Sequence, residues 1–231
     1  MRVARIVLIV VVILGGLFVA ADRIAVHLAE TKAAERAQVT EDLPTKPKVS
    51  IEGFPFLTQA ASGKLDDVKI SANDIAAAGG GQSVRIESFH ADLHGVKLSD
   101  DYHRAVADSA DGNAFLTYAD LTAAAPDGIT VSYAGTSQDG KSLVKLTGSF
   151  SGAHLSVLSQ VTVSGADTIR LHAQGLPKAF AALGIEDNVR QQIDFTTQLT
   201  HLPANIALTT VTTTPDGISI EASGKNVVLA D

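Results

Sequence analysis

The stretch "VSIEGFPFLTQAASGKLDDVKISANDI", Val49 to Ile75, changes its hydrophobic period twice. Val49 and Ile51 alternate with polar residues, as on a half-buried strand. Phe54, Phe56 and Leu57 then bracket Pro55, which keeps Phe54 extended and pre-sets φ for a first helical turn. Phe56, Leu57, Ala60 and Ala61 share one face of a short helix. Gly63 is placed to stop that helix in a left-handed conformation, and Lys64 begins the next strand. Val68, Ile70 and Ala72 restore the period of two. Strand, turn, short apolar helix and strand in 27 residues is an α+β signature.

Downstream the period of two persists. "SVRIESFHADLHGVKLS" puts Val84, Ile86, Val96 and Leu98 on one face, with a polar middle. "DGITVSYAG" and "KSLVKLTGSF" read as strands joined across an Asp139-Gly140 turn, and two more strands meet at Gly165-Ala166. Three further runs close the chain. Two regions differ. Thr117 to Ala125 reads as a short helix stopped by Pro126, and Leu176 to Ile193 as a helical segment, with Phe180, Leu183, Val189 and Ile193 at helical spacing. "APDGITV" and "TPDGISI" echo one another, which reads as a common turn reused before a strand. About ten strands and two or three short helices predict an α+β fold: one large, curled antiparallel sheet or open barrel.

Upstream, Arg2 and Arg5 precede an unbroken apolar run from Ile6 to Ala21. Sixteen helical residues span about 24 Å, short of a hydrocarbon core of roughly 30 Å. The run extends to Val26 if Arg23 snorkels. Val19 to Ala21 also suit signal-peptide cleavage, so cleaved leader and retained anchor both stay open. Either way the arginines face the cytoplasm and the remainder is exported. Asp22 to Asp42 reads as a helical stalk, with Ile24, Leu28, Thr31, Ala34 and Val39 at helical spacing, ended by Pro44 and Pro47. The expected division is 1–21 signal peptide or membrane anchor, 22–47 stalk or linker, and 48–231 curled-sheet domain.

The chain has 231 residues and a net charge of −7. Without Arg2 and Arg5 its exported part carries 16 basic and 25 acidic side chains, a net −9 that disfavours nucleic acid. There is no cysteine, so thiol catalysis, disulfides and thiolate metal sites are excluded. His90, Asp92 and His94 share one strand face and could form a metal site. The opposite face carries Phe89, Ala91 and Leu93, so the polar trio reads as a solvated surface and no metal is expected. "GFPFLTQAASGK" fails the phosphate-loop spacing at Thr58 and Leu65, and "GGGQS" lacks a third dinucleotide glycine. Asp66-Asp67 and Asp100-Asp101 read as turn and surface charge. No catalytic residue, cofactor or enzyme activity is expected.

Gly53, Phe54, Pro55, Phe56, Leu57, Thr58, Gly63, Val68 and Ile70 resemble the signature of the actinobacterial LmeA-like envelope proteins. The Pro-Asp-Gly-Ile segment near the C-terminus and the final "NVVL" also fit. The resemblance implies a fold like the tubular lipid-binding proteins, whose curled sheet encloses acyl chains. It also implies phospholipid binding at the periplasmic face of the cytoplasmic membrane, in support of mannan elongation of lipoglycans. The expected lipid-binding residues are Phe54, Phe56 and Leu57, with Phe180 and Leu183 of the later helix, lining or gating an acyl-chain cavity. The alternatives are a non-catalytic adaptor that holds an envelope glycosyltransferase, and a hydrolase with an unrecognised site.

Overall fold

In the computed structural model, residues 2–79, 82–99, 104–150, 153–175, 194–199 and 202–230 are described. The helical segment expected at 176–193, with Phe180 and Leu183, lies outside them, as do Asp100 and Asp101. The chain opens with one continuous helix, α1 (Arg2–Thr40). Then follow β1 (Lys48–Glu52), α2 (Phe56–Ser62), β2 (Lys64–Gly79), β3 (Gln82–Ser99), β4 (Arg104–Thr117) and α3 (Tyr118–Ala123). The remainder is β5 (Ile129–Thr136), β6 (Ser142–Phe150), β7 (Ala153–Val163), β8 (Thr168–Gln174), β9 (Phe195–Gln198), β10 (Ile206–Thr213) and β11 (Gly217–Ala230).

The fold is α+β and antiparallel, as the periodicity predicts. Its strands form two open sheets, ordered β1-β2-β3-β4-β11-β10 and β5-β6-β7-β8-β9. The first sheet is long: β3 alone runs for 18 residues, far beyond the usual five or six. Long strands twist, and here the alternation of side chains is reset locally. Strict alternation would put Leu93 and Val96 on opposite faces, yet both are buried in one core. Gly95, at φ +62, resets the alternation between them. A side chain there would run into the Asp108 carboxylate, which is held by Lys97 at 2.6 Å and Lys64 at 3.2 Å. Asn226 on β11 takes a positive φ of 51 next to buried Val227, and Asp74 does the same on β2 at φ 56.

The first core lies between this sheet and the helices. Val26 and Ala34 of α1 and Phe56 of α2 join Val49, Leu65, Val68, Leu93, Val96 and Val227. The docked face of α1 shares Ala34 with the expected one but is otherwise different. Val26 and Ala34 are buried, whereas Ile24, Leu28 and Val39 are exposed. Tertiary contact with β1 and α2 selects the face; hydrophobic spacing alone could not, because the helix is apolar or Ala-rich on several sides. Asp66 and Asp67, read as a turn, lie within β2.

The second core belongs to the second sheet, with Val144, Leu146, Val157, Val161, Leu171 and Ala173 against Ile218 of β11. Helix α3 joins the two sheets. Thr117 and Asp120 form a reciprocal capping box at its start. Arg85 on β3 donates to both Asp120 oxygens, at 2.7 and 3.3 Å. On the other side the Val131 N–H of β5 donates to Thr122 Oγ1 at 2.9 Å. Ser142 adds a second link: its hydroxyl donates to the Val211 carbonyl at 2.9 Å and accepts from the Thr213 N–H at 3.1 Å.

Candidate functional site

The Gly53–Gly63 segment meets α1 where the apolar run ends. The N-terminus of α2 needs an acceptor, because Pro55 in the N-cap position makes no side-chain cap. Asp22 supplies it from another helix: the Leu57 N–H donates to Asp22 Oδ1 at 2.8 Å. Arg23 donates to the other oxygen at 2.6 Å, and Asp22 is fully buried. Eight residues further along α1, Glu30 accepts the Ile51 N–H at 2.9 Å. The spacing of two turns lets one helix face hold both β1 and α2.

Gln59, also buried, ties the segment to itself. Its amide donates to the Glu52 carbonyl at 3.3 Å and accepts from the Asp66 N–H at 2.8 Å. Gly53 packs against this amide at φ +94, where a Cβ would lie 2.5 Å from Gln59 Nε2. Gly63 ends α2 in the left-handed conformation at φ 69, as its position predicts. Pro55 departs from expectation. It is the N-cap, with extended ψ of 138, rather than the first helical residue, and its peptide bond to Phe54 is cis.

The sequence-predicted residues face three ways. Phe56 is buried in the first core. Leu57 is half-buried against it. Phe54 is 58% exposed, with the Arg23 guanidinium 5.3 Å from its ring centre. Ala61, expected on the apolar face, is exposed, and Gln59 takes its place because it satisfies two backbone groups.

The second sheet presents a separate apolar wall. Ser159 on β7 lies in register between Val144 of β6 and Ala173 of β8. All three are nearly or fully buried. Ser159 Oγ has no hydrogen-bond partner among the described residues. Such a group costs about 1–3 kcal/mol, so a hydroxyl kept there calls for a reason. At the edge of this core Tyr118 donates to the Thr214 carbonyl at 2.8 Å, and burial, with Tyr133 nearby, pushes its phenol up to about 12.

A family model described as LmeA-like phospholipid-binding matches residues 20–223, most of the chain. The chain belongs to the LmeA-like phospholipid-binding family. No curated protein and no solved structure matches. The LmeA-like match gives the ligand class, lipid, and its description names binding rather than a reaction.

The first sheet of the LmeA-like chain carries the polar trio on its exposed face. His90, Asp92 and His94 are exposed, while Leu93 is buried and Phe89 and Ala91 are half-buried. His94 pairs with Asp67, whose hydrogen bond raises the imidazole pKa above its usual value. His90 and Asp92 border a shallow polar depression of about 290 Å³ with Asp111, Asn113 and Glu221. Among the described residues no group of three or more His, Asp or Glu side chains could hold a metal ion.

Asp22, Gln59 and Ser159 escaped the sequence reading. An acid directly after an apolar run was a usable signal for Asp22. Ser159 carries none, since alternate serines on strands are ordinary.

Proposed function

We propose that this chain is a phospholipid-binding or lipid-transfer protein of the cell envelope, held at the extracytoplasmic face of the membrane by residues 1–21. In this reading residues 48–231 form the lipid-binding domain, docked to residues 22–47, and the lipid serves lipoglycan assembly. The family match over residues 20–223 carries the reading. Burying a methylene gains about 0.8 kcal/mol, so a sixteen-carbon chain gains on the order of 10 kcal/mol. The bilayer already supplies that energy. Moving the chain into an apolar protein site is therefore nearly neutral, and exchange is feasible without an energy source.

Phe54, Phe56 and Leu57 are the proposed entry. Phe54 meets the lipid, Leu57 follows it inward, and Phe56 fixes the turn to the core. Phe180 and Leu183 complete the proposed apolar lining. Ser159 is proposed to meet a lipid ester oxygen, because among the described residues it is the one buried hydroxyl without a protein partner.

The test is to purify the full chain, extract it and analyse the extract by mass spectrometry, then measure uptake of labelled phospholipid from liposomes. Co-purified phospholipid and saturable uptake are expected. Absence of both would overturn the reading.

A further inference from the structure

We infer that the Gly53–Leu57 end of the domain is seated in the outer-leaflet interface of the membrane that α1 crosses, with Phe54 as the inserted side chain. This rests on the anchored reading above, and on four observations. The first is continuity: α1 passes from the apolar run into the domain without a break, from Arg2 to Thr40. The second is the lock: Asp22, one residue past the run, is bound to the Leu57 N–H of α2. The end of the membrane segment and the start of α2 are therefore at the same level.

The third is length. Arg2 and Arg5 hold the inner boundary before Ile6, and the run to Ala21 is about 6 Å shorter than a typical hydrocarbon core. Filling the gap takes about four more residues, to about position 25. The side chains at those positions suit this depth. Asp22 is fully buried in protein and paired, so its charge does not meet lipid. Arg23 is half-exposed and long enough to snorkel. Ile24 is 63% exposed and apolar.

The fourth is Phe54 itself, 58% exposed, with the Arg23 guanidinium 5.3 Å from its ring centre. An aromatic ring under an arginine fits the headgroup boundary, where one side is apolar and the other wet. Electrostatic attraction is not the cause. The exported part carries net −9 and would be repelled by an anionic surface. Apolar insertion and the rigid helix must do the holding.

The chain has no tryptophan, so Phe54→Trp creates a lone indole. Full-length F54W is reconstituted into phosphatidylcholine vesicles brominated either near the head or near the end of the acyl chain. Val39→Trp is the reference. Val39 is 83% exposed on the same helix, about 24 Å further out than Arg23. Expected results are a blue-shifted F54W emission, quenched more by the shallow bromines than by the deep ones, and an unquenched V39W. A water-like, unquenched F54W overturns the inference, as does equal quenching of both indoles. If F54W fails to fold, hydrogen exchange on the wild-type chain replaces it. Amides at 53, 54, 56 and 57 are expected to be slower in vesicles than in detergent, and equal rates overturn the inference. Recovery of membranes containing only a chain that begins at Asp22 also overturns it. A chain that binds lipid but leaves F54W unquenched sinks this inference alone.

Discussion

Phe54 and Phe56 are two residues apart and have opposite tasks. Phe56 is packed by Val26, Leu65 and their neighbours, while Phe54 stands in the open. Phe56→Ala should cost about 3–5 kcal/mol of stability, as large-to-small core changes do. Phe54→Ala should change stability by no more than about 0.5 kcal/mol, as at an exposed site. Chemical denaturation of the two variants checks this, and similar midpoints would contradict it. The sequence made the bulky trio legible as a unit, because it brackets Pro55 and is closed off by Gly63. It could not sort the members. Their directions depend on Pro55 serving as the N-cap and on Asp22, 35 residues away, receiving the Leu57 N–H.

Among the elements, α3 carries the clearest pH dependence. Burial of Asp120 pushes its carboxyl up, but the hydrogen bonds from Arg85 and Thr117 outweigh this and hold it below the ordinary value of 3.8. A carboxylate depressed by folding contributes stability above its unfolded value, and loses it as pH falls through the folded one. Asp120→Asn should therefore cost about 1–3 kcal/mol at neutral pH. The gap from wild type should begin to narrow below about pH 3.8, where the unfolded-state carboxyl protonates, and close as pH falls through the lower folded value. Thermal melts of both proteins across pH 2–7 test the sign; a gap that widened in acid would refute it. Element existence was largely readable here. The Asp139-Gly140 hairpin, the helix before Pro126 and the stop at Gly63 all rest on local turn and cap chemistry. The division into two sheets was not readable. It depends on side-chain links such as Ser142 to Val211, which join residues 69 apart in sequence.

For the whole molecule, α1 has two unlike halves. Its exposed first half is apolar enough to cross a membrane, while Val26 and Ala34 are part of the first core. A chain starting at Asp22 keeps those contacts and should stay folded. A chain starting after Thr40 uncovers Val49, Phe56 and Leu65, and leaves the Leu57 and Ile51 N–H groups without their carboxylates. It should aggregate or melt far lower, as circular dichroism and size-exclusion chromatography would show. Equal behaviour of the two truncations would mean that the helix adds nothing to the domain.

A continuous helix also sets a limit on travel. Many tethered carriers gain range from a slack linker, whose span grows with the square root of its length. Here the span and the domain share one stiff rod, with side-chain locks at Asp22 and Glu30. Anchored as proposed, the molecule would drift sideways and spin about the membrane normal, but it would not cast its domain across a gap. Its radius of action is its own body, set by strands such as β3, whose 18 residues extend about 60 Å. In the proposed anchored reading, an acceptor of its lipid must come within that distance, so the protein would act as a post that drifts along one leaflet rather than as a ferry between membranes.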